Sequence, residues 1–253
     1  MLGRNAALAI LITLAPAFPA LAQGNVTQIV NQTPKPGMSK QYEAARKKHF
    51  TWHKAQKDTW PWFTWQVMSG ENTGSYIVGT FQHAWKDFDG RDAFFQADLA
   101  DSEAVIGPTV AHSLVRYYIE RADLSLSPST PTSTPAPMIA ISGFLLKPEL
   151  VNEFIDTVKK INEGIKKTNY PQAGPSRWYQ LVNGGETPLM VLVGDRATFA
   201  AFQPNDKTLD AMMEEAYGKE QGAAILASGR KAIRTTTVTM AKYRPDLSYI
   251  PAK

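Results

Sequence analysis

The most constraining feature of this chain is that it is written twice. Arg121-Ala-Asp-Leu-Ser-Leu-Ser-Pro128 in the middle and Arg244-Pro-Asp-Leu-Ser-Tyr-Ile-Pro251 near the end share Arg, Asp, Leu, Ser and the closing Pro. Three further echoes follow the same order. Lys57-Asp-Thr-Trp-Pro61 matches Lys167-Thr-Asn-Tyr-Pro171, Trp65-Gln-Val-Met-Ser-Gly70 matches Tyr179-Gln-Leu-Val-Asn-Gly184, and Tyr76-Ile-Val-Gly-Thr80 matches Val191-Leu-Val-Gly-Asp195. An ordered set of matches argues for an internal repeat, and small drifts in spacing are what loop insertions produce. The stretch 125–137 is Pro/Ser/Thr-rich with little to bury, and reads as a linker between units at 23–124 and 138–253. Each unit falls in the usual size range of a domain.

Within each unit the hydrophobic period changes in the same sequence. In the second, an apolar run at Met138 to Leu146 precedes a helix opened by Pro148, whose Leu150, Val151, Phe154, Ile155, Val158, Ile161 and Ile165 form one stripe. Strands are expected at Arg177 to Val182 and Leu189 to Val193 around the Asn183-Gly184-Gly185 turn. A helical region spans Thr208 to Arg230, and a β-branched strand covers Thr235 to Lys242. The first unit has strands at Val26 to Asn31, Phe63 to Met68, Ser75 to Phe81 and Ser113 to Glu120, with helices at Ser39 to Thr59 and Asp92 to Ile106. Both therefore read β-α-β-β-α-β, the split βαβ arrangement of an antiparallel sheet with helices on one face.

This element order, doubled in one chain, resembles the dimeric α+β barrel superfamily in its single-chain form. The resemblance implies an α+β fold of two ferredoxin-like βαββαβ repeats packed sheet to sheet as a pseudo-dimeric α/β barrel. Families similar in this respect include antibiotic-biosynthesis-type cofactor-independent monooxygenases, muconolactone-isomerase-like proteins, haem-using chlorite-dismutase and dye-peroxidase relatives, and NIPSNAP-like proteins. Fold likeness does not choose among them.

Side chains alternate across a strand, so each strand divides into a helix-facing and a sheet-facing set. The greasier residues Phe63, Trp65, Val67, Tyr179 and Leu181 are assigned to the helices. Thr64, Gln66, Met68, Trp178, Gln180 and Val182 are assigned to the space between the sheets, with Arg116, Tyr118 and Glu120 opposite Thr237 and Thr239. From these, Gln66, Arg116, Tyr118, Glu120, Trp178 and Gln180 are the candidate ligand-binding residues, since mixed polar and aromatic walls suit a small-molecule cavity. The competing reading is a structural one, in which the buried polar groups satisfy each other. Five of the six Trp residues, Trp52, Trp60, Trp62, Trp65 and Trp85, crowd into the first unit, where core filling is the simplest account.

His49 and His53 stand four residues apart on the first helix, which points both rings to one side. No zincin Glu lies between them and no third ligand is evident, so no metal is assigned. Superposing the helix stripes sets His49 against Val158, an inward position, which makes it the candidate general base or haem ligand. His83 and His112 belong to no recognisable motif. Arg46-Lys47-Lys48 and Lys159-Lys160 read as solvated helix faces. The repeated Arg-x-Asp-Leu-Ser reads as a structural clasp closing each unit.

Met1 to Ala22 carries Arg4, an apolar run from Ala6 to Ala15, then Pro16, Pro19 and an A-x-A end, the pattern of a signal peptide cut after Ala22. The apolar run is too short to span a bilayer. The expected location is the periplasm or the medium, and a chain with no Cys suits the periplasm. The lack of Cys also removes disulfide frameworks, thiolate nucleophiles and iron–sulfur clusters. Lys plus Arg number 27 against 23 Asp plus Glu, too even a balance for a nucleic-acid partner. No nucleophile elbow, P-loop or paired-carboxylate signature occurs. The expectations are an exported monomer or homodimer with no cofactor, unless haem, holding a small organic molecule. The alternatives are a cofactor-independent monooxygenase or isomerase acting on a small aromatic substrate, and an interaction protein with a filled core.

Overall fold

The first half runs β1 (Val26–Pro34), α1 (Ser39–Ala55), β2 (Phe63–Val67), β3 (Tyr76–His83), α2 (Trp85–Asp89), α3 (Asp92–Val105) and β4 (Val110–Glu120). The second runs β5 (Met138–Leu146), α4 (Val151–Thr168), β6 (Ser176–Asn183), β7 (Leu189–Arg196), α5 (Leu209–Tyr217), α6 (Lys219–Ala232) and β8 (Ile233–Tyr243). This computed structural model describes residues 24–127 and 135–251. The expected export segment, 1–22, and the middle of the linker lie outside the described residues. Each expected strand is present, most of them longer by a few residues at one end or both. The single helix expected over Thr208 to Arg230 is two, α5 and α6, because Gly218 between them takes φ +82°, which breaks the helical path.

The strands form one closed antiparallel barrel in the order β1-β3-β2-β8-β5-β7-β6-β4. The two four-stranded sheets do not stack as separate layers. They join at their edges, β2 to β8 through Trp65↔Tyr243, Gln66↔Lys242 and Val67↔Ala241, and β4 to β6 through pairs from Tyr117↔Asn183 to Glu120↔Tyr179. Closure satisfies the backbone groups that each sheet alone would leave unpaired at its edges. It also turns the uncovered faces inward around a common lumen, with the helices outside.

The echoed segments are the parts that fasten one half to the other. Arg121 donates from Nη1 to Gln180 Oε1 at 3.0 Å and holds Asp123 in a bidentate pair at 2.8 Å. Arg244 donates to Gln66 Oε1 at 3.0 Å, to Asp246, and to Glu43 at 2.7 Å. The backbone N–H of Arg121 bonds Trp178 O and that of Arg244 bonds Thr64 O, both at 2.8 Å. Ser125 Oγ accepts from the Trp178 N–H, and Ser248 Oγ from the Thr64 N–H, both at 2.9 Å. Leu124 is fully buried beside Phe154, Val158 and Trp178 of the second half; Leu247 is fully buried beside Tyr42, Tyr76 and Ile106 of the first. Each half thus ends by completing the core of the other.

The echoed glycines have a related role. Gly70 and Gly184 follow β2 and β6 with φ +91° and +95°. A Cβ on Gly184 would lie 2.3 Å from Val115 O, and one on Gly70 3.2 Å from Val238 O, so the turns leave no room beside the partner half's last strand. No helix among the described residues is long and apolar enough to cross a membrane.

Candidate functional site: a barrel lumen and a histidine–aspartate cluster

The lumen encloses about 900 Å³. Its apolar wall comes from Phe63 and Trp65 on β2, Phe81 on β3, Tyr118 on β4 and Tyr179 on β6. Its polar groups include His112, Arg116, Arg177, Asp195, Thr237 and Thr239. Arg177 is paired with Asp195. Arg116 has no ion-pair partner among the described residues. Burial pushes the Tyr118 hydroxyl up from its ordinary range against the opposing pull of Arg116, so it stays a proton donor at neutral pH.

This placement reverses the face assignment made from the sequence for β2 and β6. Phe63, Trp65, Val67 and Tyr179 line the lumen, whereas Gln66, Trp178 and Gln180 face outward. Gln66 and Gln180 serve the clasps, and Trp178 packs under α4 with Phe144 and Phe154 at 5.6 and 5.7 Å. β2 and most of β6 are covered on the outer face as well as the inner, so greasiness cannot tell inside from outside there. On the two seam strands the outer cover is largely the polar clasp of the other half, which calls for polar side chains there. Arg116 and Tyr118 do line the lumen, as do Thr237 and Thr239. Glu120 is buried at the end of β4 and is not part of the lining.

His49 does not reach the lumen. It is buried with His53 on the outer side of the barrel wall, between α1 and α3. His49 Nδ1 bonds Asp101 Oδ2 at 2.7 Å, and His53 Nδ1 bonds Asp58 Oδ2 at 2.8 Å. The two Nε2 atoms lie 3.1 Å apart, and each is 3.1 Å from Asp98 Oδ1. Asp58 also accepts from Trp60 N at 3.0 Å, Trp62 Nε1 at 3.1 Å and Arg91 Nη2 at 2.5 Å, so it is anchored on all sides. Burial pulls the His53 ring down, but hydrogen bonds to Asp58 and Asp98 outweigh it and raise its pKa. Burial likewise pushes Asp98 up, and the bonds to His49 and His53 outweigh it and hold the carboxyl well below its usual range. The cluster therefore favours positive charge at its centre. The i, i+4 pair was visible in the sequence; the third donor comes from α3, and only the packing of α3 on α1 reveals it.

Most of the tryptophan cluster is packing. Trp60 stacks on His83 at 3.6 Å and Trp62 is buried beside Phe50 and Tyr249, while Trp85 is exposed and only Trp65 reaches the lumen.

No protein-family model matches the chain, and no curated protein does. Solved structures do. A candidate monooxygenase from Fusobacterium nucleatum superposes with a TM-score of 0.57 at 12% identity, covering 88% of this chain and 94% of that one. A mutant chlorite dismutase from Candidatus Nitrospira defluvii gives 0.54 at 6% identity, over 89% and 94%. An anthrone oxidase-like protein gives 0.52 at 13% identity, over 87% and 91%. The chain shares the α+β barrel fold of these structures. In this barrel the histidines fit a haem poorly, since an axial ligand needs a free ring nitrogen facing an open gap. His49 and His53 face each other and Asp98, and His83 is bonded to Thr80 Oγ1 at 2.6 Å and stacked on Trp60. His112 alone opens on the lumen, and it is exposed.

Proposed function

We propose that this α+β barrel is an exported protein, made of two fused βαββαβ units, that holds a small, partly aromatic organic molecule in its lumen. The observation that carries this reading is the open space itself. The interior of an eight-stranded barrel is either filled by its own side chains or wide enough for one small ligand. Here about 900 Å³ is left, within the range of small-molecule sites. The open lumen favours this reading over that of a pure interaction protein, which calls for a filled core. Aromatic walls at Phe63, Trp65, Tyr118 and Tyr179 supply flat contact area, and Arg116 offers a cation to an acidic or carbonyl group on the ligand. Arg177 is less free to do so, being paired with Asp195.

A second reading, catalysis by a cofactor-independent monooxygenase, has two observations in its favour. The lumen holds His112 and Tyr118, groups able to accept and donate a proton, and two of the barrel's structural neighbours carry oxygenase or oxidase names. The role first considered for His49 does not belong to this reading, because its ring lies outside the lumen.

Native mass spectrometry of the protein purified from its own host tests the binding reading. The expected result is a retained organic mass, lost on Val191→Trp, which fills the lumen from its wall, and weakened about tenfold or more by Arg116→Gln. Retention unchanged by Val191→Trp would overturn it. Turnover of the released molecule, abolished by His112→Ala, would favour the catalytic reading over simple binding.

A further inference from the structure

The histidine–aspartate cluster on the outer side of the first half carries an inference independent of the lumen. With both imidazoles neutral, its hydrogen-bond arithmetic does not close with protein atoms alone: the centre calls for a positive charge, either a proton or a cation. Ionised Asp101 and Asp58 can only accept, so the nitrogens facing them, His49 Nδ1 and His53 Nδ1, carry the protons. In neutral imidazoles this leaves both Nε2 atoms as lone pairs. Those lone pairs meet each other and a carboxylate oxygen, Asp98 Oδ1, which is buried and accepts no other hydrogen bond. Three acceptors converge with no donor between them.

The geometry points to a metal site: we propose that His49 Nε2, His53 Nε2 and Asp98 Oδ1 bind one divalent first-row transition-metal ion, Zn²⁺ being the best-matched occupant. The donors form an equilateral triangle 3.1 Å on a side. An ion about 2.1 Å from each, the usual distance for His nitrogen and carboxylate oxygen, would stand about 1 Å out of the triangle's plane. Two imidazoles and a carboxylate form a borderline donor set that suits Zn²⁺ and its neighbours rather than Ca²⁺ or Mg²⁺. Asp101 and Asp58 occupy the outer positions that metal-bound histidines normally have, each fixing the tautomer and ring orientation of one ligand. Asp58 is itself locked by Trp60, Trp62 and Arg91.

A second, independent feature says what the ion would do. α3 has no fully buried residue, whereas its counterpart α6 buries Ile225, Leu226 and Ala232. Phe94 packs on Trp52 at 5.5 Å near one end of α3 and Val105 on the Tyr42 and Ala45 cluster at the other, and between them the contacts of His49 and His53 with Asp98 and Asp101 fasten α3 to α1. In the second half, the helix position matched to His49 holds the core residue Val158. The ion would thus staple the polar middle of this helix pair, where its counterpart has apolar side chains.

The full-length protein, stripped with a chelator and dialysed, is titrated with Zn²⁺ alone by calorimetry and with Co²⁺ alone by visible absorption. The expected result is one ion per chain, a Co²⁺ ligand-field spectrum displaced by Zn²⁺, and a rise in melting temperature on adding Zn²⁺. Asp98→Asn and His53→Gln should each weaken binding at least a hundredfold, and Asp101→Asn, which touches only an outer position, about 10–100-fold. Failure of the stripped wild-type protein to bind stoichiometrically would overturn the proposal whether or not the variants fold. So would binding that Asp98→Asn and His53→Gln leave intact, which would mark ions held elsewhere on the surface.

Discussion

Leu247→Ala tests whether the two halves stabilise each other through their terminal clasps. Leu247 is fully buried among Tyr42, Ala45, Tyr76 and Ile106, all of them first-half residues, although it lies close to the C-terminal end of the chain. Truncation removes three carbons from that site, worth about 2.4 kcal/mol at about 0.8 kcal/mol each. The cavity left behind adds to this, because Tyr42 and Tyr76 are held by hydrogen bonds to Gln32 and Glu43 and cannot collapse freely. The total is about 3–4 kcal/mol, inside the range of buried Leu→Ala changes. For a chain of this size that corresponds to a fall in melting temperature of roughly 10 °C. Urea and thermal unfolding, followed by tryptophan fluorescence and by far-UV circular dichroism, provide the assay. Leu124→Ala, at the matching position in the second half's core, should cost a similar amount. Both variants should unfold in one transition with the two probes coincident, since the barrel closes only when both seams are formed. A loss below about 1 kcal/mol, or two resolved transitions in the wild-type protein, would refute the idea that each half is completed by the other.

Gly184→Ala should destabilise by about 2 kcal/mol or more in urea unfolding, because it sets a Cβ against Val115 O at a positive φ; a neutral effect would mean the turn can move away from β4. Burial lowers the pKa of His83 from 6.5 to about 4, so the fold favours the neutral ring. Its stability contribution is complete above pH 6.5 and is lost as the pH falls toward 4, by about 3 kcal/mol at most. The difference in unfolding free energy between wild type and His83→Gln should therefore shrink across that window, and a difference independent of pH would contradict the assignment. Arg244 holds both Glu43 and Asp246 below their ordinary pKa values. Arg244→Gln should therefore move the acid-unfolding midpoint to higher pH, a shift that would be absent if the clasp contributed nothing.

Chain order and local pattern carried much of this protein. The β-α-β-β-α-β order was legible from the change of hydrophobic period, and the clasp from the repeated Arg-x-Asp-Leu-Ser, because both depend on residues adjacent in sequence. The break at Gly218 was less legible, since a glycine within a helical pattern marks a helix end only when the backbone takes a positive φ there. Gln66 and Gln180 show a different kind of failure. Their equivalence was visible, as was that of Arg121 and Arg244, but not that each glutamine is the acceptor of the other half's arginine. That contact crosses a seam between strands far apart in the chain.

Alternation along β2 and β6 sorts each strand into two sets of side chains, and that much is determined by the period of a strand. Which set faces the lumen was decided only by the assembled barrel, because on these strands the clasps and helices cover the outer face too and polarity there is set by what covers it. The same division holds for the metal-like cluster: helix periodicity alone brought His49 and His53 to one side of α1, while the packing of α3 across that side supplied Asp98 and Asp101. Local period sets which residues share a face; only the assembled barrel sets what that face meets.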